Sequence, residues 1–304
     1  MPFFKMQNKL TFQLPDAVPI QPINDSLFIQ KNISLSILRL DMIDPVISGN
    51  KLFKLINYLE KALVLNKQVI TFGGAYSNHL VACAHACKNL GIKCVGIVRG
   101  EEPETISHSL QNCLQDEMVL KYISRHEYDN SEALTIINNH LPHTENYLII
   151  PEGGFGTDGA KGAEKITELY DNEYSHVCVA IGTATTFAGM LNSGKPHITL
   201  GFNVTKDNIE KRLLTLKVSS KNYQIFNDFN FGGYARKTEE LINFMNSFYA
   251  TNKIPTDFVY TGKMMYGILN LIKNDFFKAG CKILAIHSGG LQGNLSLPQG
   301  TLLF

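Results

Sequence analysis

Apolar positions along this chain recur with two periods, and stretches of each alternate. From Leu52 they fall at Leu52, Leu55, Ile56, Leu59, Ala62 and Leu63, the spacing of a helix with one buried stripe. Gln68-Val-Ile-Thr-Phe72 is short and apolar, and predicts a buried strand that runs into the polar turn Gly73-Gly-Ala-Tyr-Ser-Asn-His79. The pattern then repeats, with a helix to about 90, a strand over 94–98, a helix near 105–114, a strand over 118–123, a helix over 131–139 and a strand over 147–150. A second series follows Pro151-Glu-Gly-Gly-Phe-Gly156. It predicts helices over 160–170, after 186, and over 210–216, 237–249 and 264–277, with strands over 177–181, 197–204, 223–226 and 283–286. Before Lys51, segments 10–14 and 27–40 read as strands, the second alternating Ile33, Leu35 and Ile37 with Ser34 and Ser36. Regular alternation of strand and helix implies right-handed βαβ units. The expected fold is α/β, with two open twisted parallel-sheet domains and a cleft between them.

Composition narrows the function. With 304 residues, 44% hydrophobic and 18% charged, the chain can bury a large core. Twenty-eight basic against 27 acidic residues leave a net charge of +1, and no Lys/Arg block could track a phosphate backbone, so nucleic acid is not an expected partner. No secretory-type apolar segment opens the sequence, and no run of about 18 or more apolar residues follows, so membrane insertion is not expected and a cytoplasmic location is. The six cysteines sit mostly in apolar segments and read as reduced core residues. Cys83, Cys87 and His79 have metal-ligand spacing, but no second cluster completes a site, and no metal is expected.

Candidate chemistry lies at glycine-containing turns, where open parallel sheets collect ligands. Gly49-Asn50-Lys51 places a lysine at a helix entrance, where the positive end of the helix dipole disfavours protonation and favours a Schiff-base role. Ser77, Asn78 and His79 open another helix and could hold a carboxylate, or simply cap it. Gly182-Thr-Ala-Thr-Thr186 offers hydroxyls and free N–H groups suited to a phosphate, without the Gly-Lys-Ser/Thr ending of a P-loop or the dinucleotide fingerprint. Val259-Tyr-Thr-Gly-Lys263 and Ile286-His-Ser-Gly-Gly290 add a phenol and a hydroxyl in what read as similar strand-end positions. An imine-forming lysine, a phosphate cradle and neutral donors suit pyridoxal 5'-phosphate better than a nucleotide.

These motifs, in this order, resemble the 1-aminocyclopropane-1-carboxylate deaminase and D-cysteine desulfhydrase family, and the likeness spans about residues 10–290. The resemblance implies a tryptophan-synthase-β-like fold, with a large domain from 1–54 and 149–304, a small inserted domain from 55–148, and a homodimer. It also implies that Lys51 bonds to the cofactor and moves the substrate proton, that Asn78 faces the cofactor's phenolic oxygen, and that Ser288 meets its ring nitrogen. Thr183, Ala184, Thr185 and Thr186 would hold the phosphate. Ser77 would take the substrate carboxylate, with His79 and Thr261 beside the substrate, and Tyr234 and Tyr260 would be the active-site phenols. His79, Thr261 and Ser288 stand where the cyclopropane deaminases carry Gln, Glu and an apolar residue, and look more like the desulfhydrases. Phe53 and Val81 replace arginines often found near the first two motifs. The expected activity is β-elimination from a small D-amino acid such as D-cysteine. The alternatives are deamination of the cyclopropane amino acid, a non-catalytic cofactor-binding protein, and a nucleotide-binding protein.

Overall fold

The computed structural model describes residues 4–7, 9–12, 15 and 17–304. Strands β1 (Phe4–Gln7) and β2 (Lys9–Phe12) pair antiparallel as a separate hairpin; residues 13 and 14 of the expected first strand lie outside the described residues. β3 (Ile20–Ile23), α1 (Ser26–Gln30) and β4 (Ser34–Leu38) follow. The segment 27–40 is thus not one strand. The Asp25 carboxylate accepts the Leu27 N–H at 2.8 Å and starts α1, and Asn32 turns the chain in left-handed backbone (φ 50°) before β4 begins. Within β4 the alternation holds, with Leu35 and Ile37 buried and Ser34 exposed.

Next come α2 (Lys51–Val64), β5 (Gln68–Gly73), α3 (Asn78–Asn89), β6 (Cys94–Arg99), α4 (His108–Gln115), β7 (Val119–Ile123), α5 (Arg125–Asn130), α6 (Ala133–His140) and β8 (Tyr147–Ile150). The sequence pattern does not mark α5, because this helix buries no side chain and has no apolar stripe; a cap from Ser124 to the Glu127 N–H starts it. The four strands form an all-parallel sheet in the order β7-β6-β5-β8. β8 runs to Ile150, two residues past the boundary drawn at 148.

The second series is α7 (Thr157–Glu164), β9 (His176–Ile181), α8 (Thr185–Asn192), β10 (Ile198–Asn203), α9 (Ile209–Thr215), β11 (Tyr223–Phe226), α10 (Glu239–Asn252), α11 (Thr261–Lys273) and β12 (Lys282–Ile286). Two expectations shift. The helix expected to 170 ends at Glu164 and tightens into a 3-10 turn over Lys165–Leu169. Val259–Lys263 is not at a strand end, since no strand precedes it and α11 already begins at Thr261. The larger sheet runs β11-β10-β9-β12-β4-β3, parallel throughout except for β3 at its edge. Because β12 pairs with β4, strands from both ends of the chain meet in it, while the four-stranded sheet comes from the sequence between β4 and β9.

Glycines let the helices between the sheets approach closely. A Cβ on Gly162 of α7 would lie 2.0 Å from the Phe53 carbonyl oxygen of α2, and one on Gly189 of α8 would lie 2.4 Å from the Ala160 oxygen of α7. The expected stripe of α2 is buried from Leu52 to Ala62, and so are Phe53 and Tyr58 on its other side. This helix packs on two faces. Gly162→Ala must push α2 and α7 apart and should lower the stability measured by urea unfolding by about 1–3 kcal/mol. Gly74→Ala, with nothing within 4 Å of the added methyl, serves as the control and should change it little. Equal stabilities for the two variants would refute the close-packing account.

Candidate active site

Lys51 is placed by contacts on both sides of its loop. The Asp44 carboxylate accepts the Val46 and Ile47 N–H groups at 2.7 Å each, which turns the chain ahead of α2. Gly49 (φ +73°) then passes so near β12 that an added Cβ would lie 1.9 Å from the Ser288 carbonyl oxygen, and only glycine fits. The Asn50 N–H donates to that same oxygen at 3.2 Å. The Asn50 side-chain amide donates to Thr186 Oγ1 at 2.8 Å, and its oxygen accepts from Lys51 Nζ at 3.2 Å. One asparagine thus links lysine and threonine loop. Burial draws the Lys51 amine down from 10.5 to about 8, against the opposing charge of Asp257. Desolvation, rather than the helix dipole inferred from sequence, is the leading cause.

Lys54, one turn further along α2, is buried more deeply than Lys51 and lines the same cavity. Burial, and then the charge of Lys51, hold its amine well below the usual lysine range. Sequence reasoning missed it. The only signal was its three-residue spacing from Lys51 on one helix.

The threonine loop joins β9 to α8. Ala184 occupies left-handed backbone (φ 66°) at the N-terminus of α8, and no side chain caps that helix, so its first-turn N–H groups remain free for a ligand. Thr183 and Thr185 share a hydroxyl hydrogen bond at 3.0 Å. Gly182 lies against Tyr260, where a Cβ would come within 2.9 Å of the ring. Thr183, Ala184, Thr185 and Thr186 all line the cavity.

At the start of α3, the Ser77 hydroxyl accepts the Leu80 N–H at 3.2 Å, which leaves its own proton free to donate. The Asn78 amide donates to the Gly290 carbonyl at 3.5 Å, and its Oδ1 is buried without a partner. His79 is buried, and its neutral tautomer follows from its neighbours. The Thr71 hydroxyl donates to the Ile150 carbonyl at 2.9 Å, so in its 2.7 Å contact with His79 Nε2 it must accept. Nε2 therefore carries the proton, and Nδ1 is bare and has no partner. Burial, then the charges of Lys54 and Lys51, keep this imidazole neutral, well below its ordinary pKa.

Tyr260 precedes α11, its ring centroid 5.9 Å from Lys51 Nζ, and its hydroxyl donates to that of Tyr234 at 3.3 Å. Burial raises the Tyr260 phenol well above the usual range, and partial desolvation raises that of Tyr234, which is more than half exposed, so both keep their protons at neutral pH. Ser77, Asn78, His79, Tyr234, Tyr260 and Ser288 share one cavity of about 1010 Å³ with Lys51 and the threonine loop. Thr261 does not line it. Its fully buried hydroxyl donates to Asp257 Oδ2 at 2.6 Å and accepts the Asp257 N–H at 2.8 Å, because α11 starts at this residue and turns it inward. Sequence reasoning also passed over Asp257, although an aspartate ahead of an apolar helix is a capping signal.

The donor set fits pyridoxal phosphate. A buried amine with a lowered pKa, an uncapped helix N-terminus among threonines and the orphaned Asn78 oxygen line one space. Cys83 and Cys87 lie away from it, buried in the core. Among the described residues no helix is long and apolar enough to cross a membrane.

No protein-family model matches the chain. It is 31% identical to the bifunctional D-cysteine desulfhydrase/1-aminocyclopropane-1-carboxylate deaminase of Arabidopsis thaliana over 293 residues, covering 85% of this chain and 73% of that one. A protein of Pyrococcus abyssi named as a putative 1-aminocyclopropane-1-carboxylate deaminase is 29% identical, over 92% of this chain and 91% of its own. Among solved structures, that of an ACC deaminase homologue superposes with a TM-score of 0.74 at 25% identity, covering 92% and 91% of the two chains. A pyridoxal 5'-phosphate-dependent aspartate racemase, at 14% identity and a TM-score of 0.67, shares the fold over 92% of each chain. Sequence and fold agree that the chain belongs to the 1-aminocyclopropane-1-carboxylate deaminase and D-cysteine desulfhydrase family of pyridoxal-phosphate-dependent enzymes.

Proposed function

We propose that this enzyme catalyses β-elimination from a small D-amino acid, D-cysteine in the first instance, by the overall reaction of D-cysteine and water to pyruvate, ammonia and hydrogen sulfide. The observation that carries this reading is the half-buried Lys51 amine, lowered to about 8, in one cavity with an uncapped threonine-rich helix start. Bound pyridoxal phosphate supplies an aldehyde for covalent attachment and a ring that accepts negative charge from the substrate's α-carbon. Lys51 attaches the cofactor and, once freed as a neutral amine, takes the α-proton. Thr183, Ala184, Thr185 and Thr186 hold the phosphate, and Lys54 adds a buried amine to the cavity wall. Ser288 faces the ring nitrogen as an uncharged partner, and Asn78 faces the phenolic oxygen.

The substrate carboxylate docks on the Ser77 hydroxyl and the N–H groups at the start of α3. Tyr260 and Tyr234, both protonated at neutral pH, orient the substrate and supply a proton as the leaving group departs. His79 presents a neutral ring on the substrate side. Two of the three marks that favour the desulfhydrase over the cyclopropane deaminase, His79 and Ser288, line the cavity; Thr261 does not, and acts only by holding Asp257. The second reading, ring opening of 1-aminocyclopropane-1-carboxylate to 2-oxobutanoate and ammonia, is favoured by the names of the relatives.

Assaying both reactions on the same preparation separates the readings. Sulfide and pyruvate from D-cysteine in clear excess over 2-oxobutanoate are expected, whereas 2-oxobutanoate without sulfide would establish the cyclopropane deaminase. The Lys51 amine also sets a pH profile. Its lowered pKa means that the free base gains roughly tenfold per pH unit up to about 8 and then levels off. In protein stripped of cofactor, the rate of covalent attachment of pyridoxal phosphate should follow that curve. A rate still climbing tenfold per unit at pH 9 to 10 would mark an ordinary solvated lysine instead.

A further inference from the structure

The loop that carries Tyr234 lies between β11 and α10 and has an unusual backbone. Phe231, Gly232, Gly233 and Ala235 all take positive φ, at 51°, 93°, 113° and 53°, and two of these residues are not glycine. Inside the loop, the Gly233 N–H donates to the Asn230 carbonyl at 3.0 Å and the Arg236 N–H to the Gly233 carbonyl at 3.1 Å. Those same two carbonyls accept a second bond each from Lys263, whose Nζ lies 2.8 Å from the Asn230 oxygen and 2.7 Å from the Gly233 oxygen. Lys263 is fully buried, on the first turn of α11, three residues after Tyr260.

An ammonium in such a place is costly to desolvate, and a Met or Leu of similar volume would fill the space without that cost. What the amine adds is a pair of directional bonds to the main chain of one loop. The turn from which it reaches is itself fixed. The Asp257 carboxylate accepts the N–H groups of Val259 (2.9 Å), Tyr260 (2.7 Å) and Thr261 (2.9 Å) and the Thr261 hydroxyl (2.6 Å). Asp257 is also the charge that opposes the lowering of Lys263 by burial. One rigid turn therefore carries Tyr260 and grips the loop whose Tyr234 hydroxyl stands 3.3 Å from the Tyr260 hydroxyl.

We propose that Lys263 is a positioning residue that fastens the 230–236 loop to the start of α11 and so holds the Tyr234 phenol against Tyr260 at the cavity mouth. It acts through Tyr234 and touches neither substrate nor cofactor. The inference rests on the reading that the two phenols serve the substrate.

Lys263→Met tests it, since it keeps the length of the side chain and removes the N–H donors. Tryptic cleavage after the exposed Arg236 and Lys237 reports on the loop without any turnover. The variant should keep the cofactor absorbance of the wild type while cleavage there accelerates by about tenfold or more, as expected for loss of two buried hydrogen bonds. Its kcat should fall by a similar factor, and in a Tyr234→Phe background the same substitution should cause no further loss of kcat. Wild-type cleavage, or losses in the double variant that multiply, would overturn the proposal. Should Lys263→Met fail to fold, Lys263→Gln retains one donor group; intermediate cleavage supports the clamp and unchanged cleavage refutes it. If the wild-type protein turns over no amino acid, the proposed activity falls while the cleavage comparison still decides the clamp.

Discussion

The site depends on one backbone approach, that of Gly49 to the Ser288–Gly289 peptide. The separation is too small for a Cβ on either glycine, and it joins a loop ahead of α2 to the end of β12 from the far side of the sequence. Through the Asn50 N–H and its side chain, the same contact sets the direction of Lys51 and ties it to Thr186. The loop ahead of α2, the threonine loop after β9 and the loop after β12 are thereby tied together. Any residue larger than glycine at position 49 would separate Lys51, the threonine loop and Ser288 together.

Packing then turns geometry into reactivity. Glycine contacts hold α2, α7 and α8 close together, and on α2 desolvation of Lys51 and Lys54 makes their amines lose protons more easily. The charge of Lys51 further disfavours that of Lys54, and both disfavour protonation of His79. Asp257, itself held by main-chain N–H groups, counters the lowering by burial for Lys51 and for Lys263. A dianionic phosphate suits such an environment, and the family to which the chain belongs supplies one in pyridoxal phosphate.

Much of the parallel architecture was legible in the sequence, because short apolar runs alternate with helical spacings and glycines punctuate the turns between them. The stripe on α2 and the strand ahead of the threonine loop were readable for that reason. The misreadings have physical causes. α5 has no buried side, α1 depends on a local Asp25 cap, and Val259–Lys263 resembles a strand-end loop although a buried carboxylate makes it a helix start. Thr261 was placed beside the substrate from motif position alone, and its inward turn follows from Asp257. Lys54 and Lys263 were invisible as special residues, since nothing in a sequence distinguishes a buried lysine from a solvated one. For Lys51 the helix dipole suggests the direction of shift that desolvation by burial also produces.

The central claim is that Lys51, and not its buried neighbours Lys54 or Lys263, bonds to the cofactor. Borohydride reduction of the yellow holoprotein followed by peptide mass mapping measures this directly. A single pyridoxyl group on Lys51 is expected. A label on Lys54 or Lys263, or no covalent label under conditions where the cofactor is bound, would contradict it.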